Sequence, residues 1–270
     1  MNENMLGKDS PYSPTYKPEM LFAVARETNR AQLGIDTEAM QGVDIWNMWE
    51  ASWLDTKGKP QVGCIELIYS ASSPFLVESK SLKLYFNSLN QTAFNARDDF
   101  LQLIVKDLSA LVGAPVSARF IEQMNESQDW QNNYQCIDDC EIEINHYEPI
   151  PQILADATET NSRELSERLC SHLFKTNCMV TGQPDWATVF IDYQGSKINR
   201  EILLEYLISY RNHQAFHEPS AELIFQDLLK HCKPTSLSVY CRYTRRGGID
   251  INPFRSTENK IPDNFRTLRQ

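Results

Sequence analysis

Cys178 lies in the stretch Lys175-Thr-Asn-Cys178-Met-Val-Thr, and Asp185 follows seven residues later in Gln183-Pro184-Asp185-Trp186. Two strands joined by a tight turn at Gly182 would set the start of one against the end of the other. A thiol and a carboxyl would then share one site, as a nucleophile with a proton donor. A cysteine at a strand end is more often a small buried hydrophobe, and it is the spacing to Asp185 that raises this one above that reading. His217-Glu218 follows Phe216 between two helical stretches. The pair could be a helix cap and a first-turn acid; its functional reading is a Glu218 carboxylate holding the donor-rich edge of a base while His217 assists proton transfer.

Two further segments could bind an anion. Glu78-Ser79-Lys80-Ser81-Leu82-Lys83 reads as the opening of a strand, with Glu78 and Lys80 on one face and Ser79 and Lys83 on the other. This is either a solvated edge with gatekeeping lysines or a ligand carboxylate beside phosphate-binding cations. Residues 242–270 carry seven basic side chains against three acids, an excess that stands out in an acidic chain. Within them, Arg245-Arg246-Gly247-Gly248 joins guanidinium forks to a backbone that permits close approach, which suits a phosphate-rich ligand as well as a solvated tail.

The elements that must position these residues follow from periodicity. Asp44 to Leu54 sets Ile45, Trp46, Trp49 and Trp53 at helical spacing and predicts a packing helix. Alternation predicts strands at Val62–Tyr69, Leu82–Phe86, Val116–Ile121 and Cys140–Ile144. Asn95–Val112 predicts a helix stopped by Gly113-Ala-Pro115. After the break at Glu148-Pro149-Ile150-Pro151 and the polar segment 156–167 come strands at Leu169–Val180 and Ala187–Tyr193. Helices at Arg200–Tyr210 and Pro219–Cys232 and a strand at Leu237–Tyr243 complete the series. The halves repeat one order. Asn90-Gln-Thr-Ala93-Phe94-Asn95 lies against Asn212-His-Gln-Ala215-Phe216-His217, and Lys106-Asp107-Leu108 near Gln226-Asp227-Leu228. In that alignment Asn95-Ala96 stands where the second half has His217-Glu218. The division expected is an N-terminal extension with a Trp-rich helix over 1–55, a module over 56–150 and a second over 151–270. Both modules read as α+β units of ββααββ order with antiparallel strands.

Composition bounds the classes. The chain has 270 residues, 41% hydrophobic and 23% charged, which describes a globular protein with room for a large core. Its formal charge of -10 argues against a sequence-independent grip on nucleic acid. No apolar run reaches membrane-spanning length, and the first residues lack a secretory pattern. Seven scattered cysteines suit free thiols in a reducing, cytoplasmic setting. Cys136 and Cys140 have no matching pair close in sequence, so no metal is expected there. Neither a G-x-G-x-x-G nor a P-loop pattern occurs.

Four segments together, Glu78 to Tyr85, Cys178 to Trp186, Phe216-His217-Glu218 and Tyr243 to Pro253, resemble the NADPH-dependent 7-cyano-7-deazaguanine reductases, the nitrile reductases called QueF, in their long two-module form. The resemblance runs from about Val43 to the C-terminus. It implies the tunnelling fold and reduction of a nitrile on a free deazaguanine base to an aminomethyl group, with two NADPH per turnover, for queuosine in tRNA. Cys178 would be the nucleophile that forms a thioimide, Asp185 the proton donor and His217 its helper. Glu78 and Glu218 would bind the ring N–H and exocyclic amine, with Val77 and Ser79 lining the pocket. Ser79, Lys80, Arg246 and Gly247 would hold NADPH. The resemblance further implies a homodimer, a site formed where modules meet, and no metal. The rivals are a zinc-dependent cyclohydrolase or pterin enzyme of the same fold, a cysteine-dependent nitrile hydrolase, and a base-binding module without catalysis.

Overall fold

The computed structural model describes residues 12–122, 133–158 and 164–270. Residues 1–11 of the lead-in and 159–163 of the polar segment lie outside them. The described residues form two compact units interleaved in sequence, the first drawn from residues 12–31, 44–122 and 245–251, the second from 32–43, 133–158, 164–244 and 252–270. The division expected from sequence, at 55 and 150, runs straight along the chain; in the structure the stretch from Asp44 to Leu54 belongs to the first unit, and residues near the C-terminus are shared out between both.

In the first unit, β1 (Ala23–Ala25) pairs antiparallel with β4 (Phe75–Val77), and helix α1 (Arg26–Leu33) starts directly after β1. Strand β3 (Pro60–Ser70) lies between β2 (Gln41–Leu54) and β5 (Val116–Phe120), antiparallel to the latter. The turn from β2 to β3 is closed by Asp55, whose carboxylate accepts the N–H groups of Lys57 and Lys59, and by Gly58 at φ 76°. Two helices, α2 (Ser79–Ser88) and α3 (Arg97–Val112), contribute Leu82, Tyr85, Phe86, Phe100, Ile104 and Leu108 to one core with Trp46, Met48, Ala51 and Trp53. Gly113 ends α3 in the left-handed region at φ 69°.

Two expected elements here are corrected. The Trp-rich segment is a strand, not a helix. Its core residues Trp46, Met48, Ala51 and Trp53 step by two, three and two, and the middle step of three breaks the alternation that would have marked a strand. The segment opening at Glu78 is helix α2, not a strand. Glu78 is its N-cap, accepting from the N–H groups of Lys80 at 2.8 Å and Ser81 at 2.7 Å. The alternation of Leu82, Leu84 and Phe86 obscured the pairs 81/82 and 85/86, one helical turn apart, that the core buries.

In the second unit the strands run in the order β11 (Ile249–Ser256), β10 (Ser236–Tyr243), β9 (Pro184–Gly195), β7 (Leu165–Ser171), β6 (Gln135–Cys136). All these pairings whose register is defined are antiparallel except β6 with β7. A short β8 (Lys175–Asn177) also pairs β9. The single strand expected at 169–180 is thus two, with Phe174 buried between them, and Cys140–Ile144 forms no strand. The helices α4 (Arg200–Ser209) and α5 (His217–Cys232) cover the sheet, their Leu203, Leu207, Ile224 and Leu228 packing on Val189, Ile191 and Val239. Taken together the elements are a mixed α+β fold with mainly antiparallel sheets. Among the described residues no helix is long and apolar enough to cross a membrane.

The two helix pairs share a detail that the sequence alignment only touched. Tyr85 on α2 donates to Asp107 on α3 at 2.7 Å, and Tyr206 on α4 donates to Asp227 on α5 at 2.6 Å. Asp107 and Asp227 each stand eleventh in their helices, so Arg97-Asp98, not Asn95-Ala96, corresponds to His217-Glu218. Burial pushes the Asp227 carboxyl above the usual aspartate range, and the Tyr206 hydroxyl opposes that. Tyr206→Phe is expected to cost about 1–3 kcal/mol, because it strips a donor from a buried carboxyl. Tyr85→Phe should cost less, about 0.5–1.5 kcal/mol, because Asp107 is half-buried where Asp227 is buried, and it keeps the Tyr16 hydroxyl at 2.7 Å. Urea denaturation of the two variants side by side measures the difference.

Candidate active site

Cys178, Asp185, His217 and Glu218 all lie in the second unit. The register Thr176↔Asp185 and Asn177↔Pro184 ends β8 one residue before Cys178. The turn is closed by Cys178 N–H to Gln183 O at 2.8 Å and Gly182 N–H to Cys178 O at 2.9 Å, with Gly182 at φ 68°. Opposed strand positions share a face, so Thr176 and Asp185 point the same way, and Cys178 follows Thr176 by two. The hairpin that the expected pairing of thiol and carboxyl requires is therefore present. Cys178 is half-buried, while Asp185 is buried.

The loop before α5 is tied to the same hairpin. Asn177 donates its N–H to His213 O at 2.8 Å and accepts the Ala215 N–H at 3.3 Å. Four residues after His213 the helix begins, and His217 Nε2 comes to 3.3 Å from Asp185 Oδ2. The imidazole lies flat on the Tyr243 ring, with centroids 3.7 Å apart and planes 4° from parallel. Its Nδ1 is buried and has no hydrogen-bond partner among the described residues. Burial pushes the Tyr243 phenol well above its usual value, so the platform under His217 stays neutral. Burial likewise pushes His213 below the ordinary histidine value, which leaves it uncharged at neutral pH.

Glu218 is 2% exposed in the first turn of α5, whose N-cap Phe216 supplies no side-chain oxygen. The helix N-terminus favours its negative charge. Asp98, at the matching place in α3, is exposed. A carboxylate at this position is thus common to both helix pairs, but only the second takes it out of water, where a matched donor pair on a ligand is most strongly selected.

The anion-binding candidates lie in the first unit. Arg246 and Ile249 close the turn after β10, with Arg246 N–H to Ile249 O at 2.9 Å, and Gly247 and Gly248 sit at φ 62° and 74°. A Cβ on Gly248 would meet the end of the exposed Glu50 side chain, which can swing aside, so it is the left-handed φ of 74° that favours glycine there. A Cβ on Gly247 would lie 3.2 Å from Lys83 Nζ, which sets the α2 lysine against this turn. The Arg245 guanidinium stands 5.0 Å from the centre of the Trp49 ring. Asp250 accepts from Asn47 Nδ2 at 2.7 Å and from Trp49 Nε1, fixing the far side of the turn to β2. Lysine and arginine around a glycine turn are the donor set that phosphate groups require, so these residues fit the phosphates of NADPH.

Val77 is buried at the end of β4, Ser79 and Lys80 are half-buried in the first turn of α2, and Glu78 is buried. Each Glu78 oxygen accepts one backbone N–H, which leaves acceptor capacity on both. Sequence reasoning gave no role to Tyr243 or Asp250. Both fall inside the Tyr243 to Pro253 motif, and nothing in a linear pattern shows which of its residues stacks on a histidine 26 positions earlier. Strand β11 was missed for a related reason, since Pro253 within it argues against a strand.

Comparison with known proteins defines the class. A family model described as nitrile reductase, 7-cyano-7-deazaguanine-reductase N-term, matches residues 12–120, and one described as QueF-like protein matches residues 184–262. Proteins named NADPH-dependent 7-cyano-7-deazaguanine reductase are similar along their whole length. The one from Hydrogenovibrio crunogenus is 44% identical, over 100% of this chain and 97% of its own. The one from Chromobacterium violaceum is 48% identical, over 98% and 96%. A crystal structure of the apo archaeosine synthase QueF-Like shares 17% identity at a TM-score of 0.30, over 38% of this chain and 100% of that one, too slight a likeness to bear on the fold. The chain belongs to the family of NADPH-dependent 7-cyano-7-deazaguanine reductases.

Proposed function

We propose that this chain reduces the nitrile of 7-cyano-7-deazaguanine to an aminomethyl group in queuosine biosynthesis, with Cys178 as the covalent nucleophile. The observation that supports this most is the contact of His217 with Asp185 beside the turn that carries Cys178. A nitrile is a poor hydride acceptor. Addition of the Cys178 sulfur to the nitrile carbon, with a proton delivered to the nitrogen, gives a thioimide that accepts hydride readily. Asp185 delivers that proton, and His217, 3.3 Å away on its tyrosine platform, passes protons to and from Asp185. NADPH, when bound, supplies hydride, once for each of the two reductions. Between them the Cys178 sulfur leaves as thiolate, taking the C–S bonding pair and freeing an imine. Burial of Asp185 and Glu218 serves to keep that imine from water.

Glu218 and Glu78 accept the N–H groups of the base. A wrong base that lacks those donors would leave a buried carboxylate without its partner, which costs binding. Ser79, Lys80, Arg246 and Gly247 hold NADPH, with Arg246 directed to the 2′-phosphate and Val77 and Ser79 bordering the base. The repeated helix pairs and the order of strands around them support two tandem ββααββ modules of the tunnelling fold. We read the protein as a homodimer of the cytoplasm that binds the free base and does not itself bind tRNA.

The test is NADPH oxidation on adding 7-cyano-7-deazaguanine to the purified chain, with NADH as control. Two NADPH consumed per base, and little NADH, is the expected result, since nitrile to amine takes two hydrides. A covalent mass adduct with no NADPH consumption would reject the reductase in favour of a hydrolase. Absence of both would leave only base binding.

A further inference from the structure

Outside the residues assigned to the reaction, the second unit brings together two thiols and an imidazole. The ligand atoms of Cys136, Cys170 and His172 all lie within 4.8 Å of one another. Cys136 on β6 and Cys170 on β7 are direct partners across a parallel pairing, and His172 follows one residue past the end of β7. The three line a cavity of about 330 Å³ with Tyr134, Thr188 and Arg269. Cys136 is exposed and Cys170 buried, so the group runs from solvent inward.

The surrounding bonds orient these donors. His172 Nδ1 is 2.9 Å from Thr188 Oγ1. With Nδ1–H donated to that hydroxyl, the tautomer presents the lone pair of Nε2. Asp138 accepts the Ser171 hydroxyl at 2.6 Å and the His172 N–H at 3.0 Å, which fixes the chain around the imidazole. Two thiolates and the Asp138 carboxylate would set three negative charges against one divalent ion and the Arg269 guanidinium, which leaves the group electrically balanced.

We propose that Cys136, Cys170 and His172 bind a thiophilic divalent cation, Zn²⁺ in the first place, clamping the two-residue strand β6 to β7. Two sulfurs and one imidazole nitrogen supply three positions of a tetrahedron, and the cavity leaves the fourth to water or a small ligand. A disulfide between the two cysteines is the competing use of the same pair. It would make no use of His172 or of the hydroxyl that orients it.

Cobalt(II) titration of the reduced, chelator-treated full chain tests this. One equivalent per chain should produce tetrahedral d–d absorption with a thiolate-to-cobalt charge-transfer band, and Zn²⁺ should bleach both. Cys136→Ser changes an exposed residue and should weaken cobalt binding at least tenfold, as should His172→Gln, with unchanged circular dichroism. Cys178→Ala should leave the bands intact. The proposal is overturned if the reduced chain gives no charge-transfer band, or if the band survives Cys136→Ser and His172→Gln, or if it disappears in Cys178→Ala. It is equally overturned if mild oxidation of the chain removes two hydrogen atoms from its mass through Cys136 and Cys170 while the reduced form ignores cobalt. None of these readouts depends on reductase activity.

Discussion

Cys178→Ala is expected to lower NADPH turnover by at least about 10⁴-fold, the scale on which loss of an enzyme's nucleophile is felt, while the folded variant still binds the base. The half-buried sulfur sits at a hairpin turn held by two backbone bonds, so removing it disturbs little of the fold. What disappears is the step that converts a nitrile into an activated C=N. Intact mass measurement separates this from simple misfolding. Wild-type protein mixed with the nitrile and no NADPH should gain the mass of one base. The variant should gain none, yet still show base binding by calorimetry. Retained turnover in Cys178→Ala would reject covalent catalysis, whereas loss of both turnover and base binding would show that the sulfur shapes the pocket as well.

The spacing from Cys178 to Asp185 was legible because a hairpin is local. The glycine turn and the run of alternating residues on both sides are contained in about twenty positions, and the register follows from them. The contact from Asp185 to His217 was beyond the sequence, since it depends on bonds from Asn177 to His213 and Ala215 that pull α5 onto the hairpin. Glu78 shows the opposite failure. Its motif was recognised, but the local periodicity was misread, because an acidic residue ahead of Ser-Lys-Ser serves equally as a strand opening and as a helix cap. The Trp-rich strand was misread because its buried positions change phase between Met48 and Ala51. The group Cys136, Cys170 and His172 could not be seen at all, as its first two members are 34 residues apart and meet only through the parallel pairing of β6 with β7. Helix α3, by contrast, carries its whole signal in its own sequence, from the apolar face at Phe100, Ile104 and Leu108 to the stop at Gly113.

Glu222→Ala is expected to cost about 3–5 kcal/mol of stability, because it removes the carboxylate facing a buried guanidinium. Glu222 lies one turn beyond Glu218 on α5 and is buried, as is Arg255 on β11. Its Oε1 accepts from Arg255 Nε at 3.1 Å and from the guanidinium again at 2.8 Å. Another Arg255 nitrogen donates to the carbonyls of Val43 and Phe254 at 3.2 and 2.9 Å. Those carbonyls help to hold the side chain in place, but they carry no full charge to replace the carboxylate. The double variant Glu222→Met/Arg255→Met removes both charges and keeps much of the volume, so it should recover more than half of the loss. Urea denaturation of the wild type, both single variants and the double closes the cycle. A double variant as unstable as Glu222→Ala would mean that packing around α5, and not the stranded charge, sets the cost. If the stranded charge does set it, NADPH turnover should persist in the double variant, since Glu222 anchors the helix that carries His217 and Glu218 without taking a part in their chemistry.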